Sequence, residues 1–261
     1  MRFEPADAVA VVTGASSGIG RHLCLLLAQA NASVVAVARR GDRIADLIST
    51  CPGGKIVPVI GDVTDPAVRE QIVSAAVKIR DGQVDLLVNN AGIGAIGPFA
   101  DATEDRLRQI MEVNFFAPAE LTRQFIPHLR RGRNPVICNI GSVLGHRAVP
   151  NKSEYCASKF AMHGFSDSLR AELAPDNIQV TLVSPSTTRS EFFDSLIGSE
   201  SDVESKSLGS WSPQQVAKAA LSAIRARRSE VICSLGGKAL VYADRLAPAI
   251  MNKVLAEKSD P

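Results

Sequence analysis

The feature that most constrains the fold is a regular alternation of short apolar segments with longer amphipathic ones. Seven segments are almost uninterrupted in hydrophobicity and rich in β-branched residues: Ala8 to Val12, Ser33 to Ala38, Lys55 to Ile60, Val84 to Asn89, Pro135 to Ile140, Ile178 to Ser184 and Glu230 to Ser234. Strands that are apolar along their whole length are covered on both faces, as in a parallel sheet. The alternation therefore predicts an α/β fold, a doubly wound parallel sheet of about seven strands with helices on both faces.

Helix starts can be identified between the predicted strands. The pairs Asp65-Pro66 and Ser212-Pro213 each place a good N-cap residue before a proline, which is favoured at the first position of a helix. The stretch from Lys238 to Lys258 has apolar residues at helical spacing, namely Leu240, Ala243, Ala247, Ile250 and Val254. We interpret it as a terminal amphipathic helix that covers its own core or a subunit. Contact with a membrane surface is the alternative and is not expected.

Length and composition favour a single domain, residues 1–261. The chain is long enough to bury a large core, and 46% apolar with 21% charged residues is typical of a folded globular protein. A net charge of +2 gives no reason to expect nucleic acid as a partner. The five cysteines include no C-x-x-C pair, and the four histidines have no metal-binding spacing. Free thiols, no metal and a cytoplasmic location are therefore expected.

A glycine-rich turn follows the first predicted strand. The run Thr13-Gly14-Ala15-Ser16-Ser17-Gly18-Ile19-Gly20 leads into a helical segment that begins near Gly18. Glycines at such a turn remove the Cβ atoms that would keep a pyrophosphate away from the helix N-terminus, whose free N–H groups and dipole attract it. Because the turn lies after the first strand and before a helix, it predicts a Rossmann-type dinucleotide-binding domain.

Several motifs, in this order along the chain, resemble those of the short-chain dehydrogenase/reductase family. TGASSGIG is similar to the family's T-G-x-x-x-G-x-G. Further matches follow at family spacing: Asn89-Asn90-Ala91-Gly92, Asn114, Ser142 and Tyr155-x-x-x-Lys159. Together these motifs extend the resemblance over most of the chain.

The resemblance implies where the cofactor lies. Asp62 and Val63 would flank the adenine, and Asn90 would approach the adenosine half of the cofactor. The backbone of Thr188 would hold the nicotinamide carboxamide. The expected cofactor-binding residues are Gly14, Ser16, Ser17, Gly18, Ile19, Gly20, Arg39, Arg40, Asp62, Val63, Asn90, Ala91, Gly92, Tyr155, Lys159, Pro185 and Thr188.

The end of the second predicted strand indicates which cofactor is preferred. Relatives that prefer NAD usually carry an acidic residue there, whereas this chain has Ala38 followed by Arg39 and Arg40. A carboxylate would repel a 2′-phosphate, and an arginine fork offers it charge-assisted hydrogen bonds. NADP(H) is therefore the preferred cofactor, with NAD(H) as the alternative.

Tyr155 and Lys159 stand four residues apart on a predicted helix, so their side chains share one face. A free tyrosine has a pKa of about 10, and an adjacent ammonium together with an oxidised nicotinamide ring would favour its phenolate. Tyr155 would donate a proton during carbonyl reduction and accept one during alcohol oxidation. The resemblance implies three further roles. Ser142 would orient and polarise the substrate oxygen, Lys159 would also contact the nicotinamide ribose, and Asn114 would anchor a proton-relay water.

A long polar stretch before the last predicted helices is interpreted as a substrate lid at about 186–212. Apolar residues of the lid and of nearby loops predict an apolar carbonyl substrate. They are Phe192, Phe193, Leu196, Ile197 and Trp211 in the lid, and Ile93, Ile96, Phe99, Val143 and Leu144 in the loops after the fourth and fifth strands. Ser186 stands where the family usually has glycine, which leaves the loop geometry there open.

Taken together, the motifs predict an NADP(H)-dependent oxidoreductase that reduces an apolar ketone or aldehyde. An alcohol dehydrogenase working in the oxidative direction is the first alternative, because the same residues catalyse both directions. A non-catalytic NADP(H)-binding sensor is the second. The resemblance also implies a homodimer or homotetramer, assembled partly through the helices that contain Asn114 and Tyr155.

Overall fold

The computed structural model describes residues 2–186, 196–197 and 211–257, and its centre is a parallel sheet of seven strands. Counting the two short strands of a second sheet, the described strands are β1 (Val9–Thr13), β2 (Ser33–Ala38), β3 (Lys55–Ile60), β4 (Leu86–Asn89), β5 (Gly94–Ala95), β6 (Val136–Ile140), β7 (Gln179–Ser184), β8 (Leu196–Ile197) and β9 (Glu230–Ile232). The large sheet has the order β3-β2-β1-β4-β6-β7-β9, and β5 pairs with β8 in a small second sheet.

Helices lie between the strands of the large sheet along the chain, and two more follow its last strand. They are α1 (Gly18–Gln29), α2 (Gly41–Thr50), α3 (Pro66–Val77), α4 (Glu104–Met111), α5 (Ala117–Leu129), α6 (Ser153–Glu172), α7 (Pro213–Arg225), α8 (Leu235–Leu246) and α9 (Pro248–Glu257). A π-helical turn, Glu112–Phe116, joins α4 to α5, and short 3-10 turns lie at Phe99–Asp101 and Val143–Gly145.

Two apolar layers cover the two faces of the sheet. Alternate residues of the strands point to opposite faces, so neighbours such as Val11 and Val12 enter different cores. One core lies under α1, α2 and α7, and the other lies under α3, α5 and the C-terminal half of α6. The predicted doubly wound parallel sheet with helices on both faces is therefore confirmed.

The predicted strands and helix starts agree closely with the structure. Asp65 caps α3 by accepting a hydrogen bond from the Ala67 backbone N–H at 2.8 Å, and Ser212 forms a reciprocal capping box with Gln215 at the start of α7. Pro58 lies inside β3, where its missing N–H is tolerated because β3 is an edge strand.

The expectation of one terminal amphipathic helix was wrong. The structure has two helices, α8 and α9, because Pro248 lacks a backbone N–H and disfavours the helical conformation at Ala247, whose φ and ψ are −144° and 62°. The last predicted strand also ends earlier, at Ile232, and Ser234 instead caps α8 with its side chain. Within the described ranges, every helix is too short or too polar to span a bilayer.

The strand order reverses between β1 and β4. The chain continues from β1 to β2 and β3 on one side, then crosses to β4 and the later strands on the other. Ligands of open α/β sheets bind outside the carboxyl ends of the strands at such a switch point. The glycine-rich turn after β1 and the Asn89–Gly92 segment at the end of β4 both lie there.

Candidate active site

Gly14 and Gly20 make the turn after β1 tight. Gly14 has a φ of +67°, and a Cβ on it would lie 2.7 Å from the Asn90 side-chain nitrogen. A Cβ on Gly20 would clash with the Gly14 carbonyl oxygen. No described side chain caps the N-terminus of α1, and its first turn contains no acidic residue. The turn therefore leaves backbone N–H groups and the positive end of the helix dipole available to an anion.

Thr13 and Asn90 tie the ends of β1 and β4 together. The Thr13 hydroxyl oxygen accepts hydrogen bonds from the backbone N–H groups of Asn90 and Ala91, both at 3.0 Å. The Asn90 amide donates to the carbonyl oxygens of Thr13 at 2.8 Å and Gly14 at 3.2 Å. Its amide nitrogen thus braces the glycine turn, and its expected contact with the adenosine stays a prediction.

Arg40 is the arginine that lies against the glycine turn. Its Nη2 donates to the hydroxyl oxygens of Ser16 at 3.0 Å and Ser17 at 2.9 Å. Arg39 points elsewhere: its side chain is 66% exposed, and its Nη1 lies 3.5 Å from the Asp62 carboxylate. The sequence analysis favoured Arg39 as the phosphate ligand, whereas in the structure Arg40 contacts the glycine turn.

Asp62 and Val63 follow β3, next to the ends of β1 and β2. The Asp62 carboxylate accepts hydrogen bonds from the backbone N–H and the hydroxyl of Thr64, at 3.0 and 2.8 Å. The Val63 side chain is buried. These contacts fix the segment in which the resemblance places the adenine pocket.

Tyr155, Lys159 and Ser142 converge at the carboxyl end of β6. Tyr155 and Lys159 lie one turn apart on α6, and the Lys159 Nζ is 5.6 Å from the centre of the Tyr155 ring. The Tyr155 hydroxyl is hydrogen-bonded to the side chain of Ser142. Ser142 is fixed in turn because its hydroxyl oxygen accepts from the Leu144 backbone N–H at 3.0 Å.

Burial controls the ionisation of both groups on α6. It raises the pKa of Tyr155 to about 12, and the hydrogen bond to Ser142 opposes this shift. Burial also lowers the pKa of Lys159 to about 8, although its ammonium donates to the Ile140 carbonyl oxygen at 3.0 Å. The phenolate expected from the neighbouring ammonium is therefore not favoured by this chain alone, and Tyr155 holds its proton at neutral pH.

Asn114 lies in the π-helical turn between α4 and α5. Its side chain exchanges two hydrogen bonds with the backbone of Ile93, both at 2.9 Å, and donates a third to the Ser158 hydroxyl at 2.9 Å. The Ser158 hydroxyl then donates to the Tyr155 carbonyl oxygen. A π-turn often marks a functional position, and here it carries Asn114 to the side chain of Ser158 on α6. The relay water expected there stays a prediction.

Two polar clusters near the site were not predicted from the sequence. Arg106 of α4 and Glu154 of α6 form a bidentate ion pair at 2.8 and 3.1 Å, and their side chains are only 6% and 1% exposed. Glu154 immediately precedes Tyr155, so the pair anchors the start of the helix that carries the tyrosine. Only the packing of α4 on α6 reveals this pair, because the two residues are far apart in sequence.

The second cluster contains His146, His163 and Glu230. One nitrogen or oxygen atom from each lies within 4.8 Å of the others, a proximity that sequence spacing could not show. His146 Nε2 lies 2.9 Å from Glu230 Oε1, and the Arg245 guanidinium lies 3.4 Å from His146 Nδ1. The same His146 Nε2 also lies 2.9 Å from the Ser184 hydroxyl oxygen. The cluster is therefore described best as a hydrogen-bonded network.

The expected substrate pocket is described only in part. Ile93, Ile96 and Val143 are buried beside the site, whereas Phe99 is 60% exposed. Trp211, at the end of the expected lid, is partly buried and packs against the core under α1 and α7. Thr188, Phe192, Phe193 and the side chains of Leu196 and Ile197 lie outside the described residues.

Pro185 and Ser186 close the described part of the loop after β7. The Pro185 carbonyl oxygen accepts from the Val143 backbone N–H at 2.9 Å. The Ser186 hydroxyl lies 2.9 Å from that of Ser234. Ser186 is not among the described residues with positive φ, so a serine fits the backbone conformation where the family usually has glycine.

Comparison with known proteins gives consistent matches. A family model described as short chain dehydrogenase matches residues 8–200. The "Dehydrogenase/reductase SDR family member 7B" of Bos taurus is 33% identical over 274 residues, which cover 99% of this chain and 83% of the relative.

Solved structures of similar fold include two with a bound nicotinamide cofactor. A short-chain dehydrogenase/reductase from Burkholderia phymatum in complex with NAD has a TM-score of 0.85 and 25% identity, covering 95% of this chain and 96% of the other. A 3-ketoacyl-(acyl-carrier-protein) reductase from Brucella melitensis complexed with NADH has a TM-score of 0.76 and 26% identity, covering 87% and 98%.

Proposed function

The chain belongs to the short-chain dehydrogenase/reductase family and is an oxidoreductase, and from this premise we propose that it is an NADP(H)-dependent reductase of apolar ketones or aldehydes. The observation that carries the proposal is the convergence of Ser142, Tyr155 and Lys159 at the carboxyl end of β6, beside the switch point of the sheet. We also treat residues 1–261 as one catalytic and cofactor-binding domain, because strands of one sheet come from both ends of the chain.

Tyr155 is the proton donor in the proposed reaction. Its raised pKa keeps the phenol protonated at neutral pH, so the proton that a developing alkoxide needs is in place. The Ser142 hydroxyl donates to the Tyr155 oxygen, and when substrate is bound it would turn its single proton toward the same substrate oxygen. A bound nicotinamide supplies the hydride in reduction and accepts it in oxidation.

Lys159 and Asn114 support the tyrosine. The Lys159 ammonium is held between the Ile140 carbonyl and the Tyr155 ring, and together with a bound oxidised nicotinamide it would stabilise negative charge on the phenol oxygen. Asn114 fixes the backbone of α6 through Ser158, and its role as anchor of a relay water remains part of the proposal. Oxidation of an alcohol uses the same groups in reverse, with Tyr155 as the base.

The residues at the switch point fit a dinucleotide. The glycine turn and the uncapped start of α1 suit the pyrophosphate, and the residues that would hold it are Gly14, Ser16, Ser17, Gly18, Ile19 and Gly20. Ala38, Arg39 and Arg40 support a preference for NADP(H), because no carboxylate ends β2 and two guanidinium groups follow it. NAD(H) remains the alternative, since the neighbour from Burkholderia phymatum was solved with NAD.

The apolar character of the substrate rests on the buried side chains beside the site. Ile93, Ile96 and Val143 offer apolar walls, which favour apolar ligands through surface burial. Exposed Phe116 and Phe160 lie two residues after Asn114 and one after Lys159, and they support the proposed assembly into a homodimer or homotetramer through the helical segments that contain Asn114 and Tyr155.

The test is NADPH consumption by the purified protein with a panel of aliphatic, aromatic and polycyclic ketones and aldehydes. The proposal expects the highest kcat/KM for apolar carbonyl compounds and a strong loss in the Tyr155→Phe variant. Higher kcat/KM for small hydrophilic aldoses would contradict the substrate class. Faster turnover of secondary alcohols with NADP+ would assign the oxidative direction instead.

A further inference from the structure

The two C-terminal helices present an apolar surface to solvent. Leu235, Tyr242 and Leu246 of α8 are exposed by 84%, 52% and 85%, and Ile250 and Val254 of α9 by 65% and 39%. At about 100° per residue, the three α8 side chains lie within a narrow arc of that helix. Ile250 and Val254 lie one turn apart on α9, which packs against α8. We call these five residues the C-terminal apolar surface.

The opposite side of α8 already covers the core. Val241 is 1% exposed and clusters with Val143 and Ile232. Gly237 approaches so closely that a Cβ on it would lie 2.9 Å from a methyl group of Val143. Covering the core therefore accounts for one face of α8 and leaves the C-terminal apolar surface without a role.

The exposed charges on these helices are cationic among the side chains that the structure describes. Lys238 and Arg245 of α8 and Lys253 of α9 are exposed. Lys238 and Arg245 are seven residues apart, about two turns, so they line one edge of the apolar arc. Asp244 is mostly buried and pairs with Arg147 at 2.8 Å. The surface is thus apolar in the middle and positive at its edge.

Two partners are candidates for this surface, a second copy of the chain and a lipid bilayer, and the charge pattern distinguishes between them. A two-fold interface between two copies would place the surface against itself and bring its cations together. Anionic lipid headgroups complement the cations, and the exposed apolar side chains can enter the boundary between headgroups and acyl chains. We propose that the C-terminal apolar surface docks the protein onto an anionic bilayer surface.

Hydrogen bonds join the helices of the C-terminal apolar surface to a segment of the candidate active site. Arg147, which follows the 3-10 turn after Ser142, donates to Asp244 of α8 at 2.8 Å and to Asn252 of α9 at 2.7 Å. The same segment supplies Val143, which packs under α8. Docking therefore leaves α8 between the bilayer and the segment that follows Ser142. The inference does not rest on the substrate class, since the lipid contact is made by side chains outside the site.

Vesicle flotation tests the proposal directly. The purified full chain is mixed with large unilamellar vesicles, made either of phosphatidylcholine alone or of phosphatidylcholine and phosphatidylglycerol in equal parts. We expect the protein to float with the anionic vesicles and to be released by salt, which screens the attraction. Retention by both kinds of vesicle to the same extent, or by neither, would overturn the proposal.

Matched variants separate the electrostatic from the apolar contribution. Lys238→Gln/Lys253→Gln should lower partitioning roughly 25-fold, since each cation contributes about fivefold. Arg108→Gln/Arg123→Gln removes two exposed cations on other helices and should leave it unchanged. Leu246→Ser/Ile250→Ser should abolish flotation, whereas Phe99→Ser, at similar exposure, should not.

Light scattering after size-exclusion chromatography tests the competing occupant. If Leu246→Ser/Ile250→Ser dissociates an oligomer while the unaltered chain fails to float, a second copy covers the surface and the proposal is wrong. If the variant keeps the oligomeric state and unfolds at the same temperature as the unaltered chain, its loss of flotation is due to lost bilayer contact.

Discussion

The buried ammonium of Lys159 should make folding stability depend on pH in a way that one substitution reveals. Burial lowers its pKa from 10.5 to about 8. Below about pH 8 the lysine is protonated in both the folded and the unfolded chain, and the folded state bears the cost of burying the charge. Between that pH and 10.5 only the unfolded chain keeps the proton, so stability should rise with pH.

The size of this effect follows from the shift. At 1.36 kcal/mol per pKa unit, a difference of about 2.5 units corresponds to about 3 kcal/mol of stability between pH 7 and pH 11. Lys159→Met carries no proton and should lack this rise. The cysteines also contribute in this range, because their thiols lose protons in the unfolded chain, whereas burial raises the pKa of Cys24, Cys138 and Cys233 in the folded protein. Their contribution cancels in the difference between the variant and the unaltered chain.

The assay is urea unfolding of the cofactor-free protein at several pH values from 7 to 11. The stability of Lys159→Met relative to the unaltered chain should fall by about 3 kcal/mol as the pH rises across this range. Lys253→Met, which removes an exposed lysine, serves as the control and should give a flat difference. A flat difference for Lys159→Met as well would refute the inference that its charge is buried at a cost.

Further predictions concern the cofactor contact and the anchor of α6. Arg40→Ala should weaken NADPH binding about ten- to a hundredfold by titration calorimetry and leave NADH binding nearly unchanged, because only NADPH has the 2′-phosphate. Arg39→Ala should weaken NADPH binding less than Arg40→Ala does. Ala38→Asp/Arg40→Ala should turn the cofactor preference toward NADH. Equal losses of affinity for NADPH and NADH in Arg40→Ala would count against a contact between Arg40 and the 2′-phosphate. Breaking the buried ion pair with Arg106→Met should cost about 3 to 5 kcal/mol in urea unfolding, and Arg106→Met/Glu154→Gln should recover part of it. A loss below about 1 kcal/mol in the single variant would show that the charges are solvated.

The sheet was predicted well from the sequence because each strand can be identified from its own residues. A strand buried on both faces must be apolar throughout, as Val34 to Val37 in β2 are, and that property needs no knowledge of the neighbours. The glycine turn and the pair Tyr155 and Lys159 were equally predictable from the sequence, because each depends on residues close together along the chain.

Contacts between elements that are distant along the chain could not be predicted from the sequence. The choice between Arg39 and Arg40 depends on how the chain turns after β2, which brings only Arg40 to the hydroxyls of Ser16 and Ser17. The pair Arg106 and Glu154 requires the packing of α4 against α6. Pro248 was visible in the sequence, but the helical spacing of the apolar residues around it outweighed the break that it causes.

The most direct test of the proposed chemistry is the turnover of Tyr155→Phe with NADPH and the best carbonyl substrate of the panel. Removing the phenolic hydroxyl takes away the proton donor, so kcat should fall by roughly 10² to 10⁴. NADPH affinity, measured by calorimetry on the same preparation, should stay nearly unchanged and show that the variant is folded. A variant that keeps more than about a tenth of the original kcat while binding NADPH normally would contradict the assignment of Tyr155 as the proton donor.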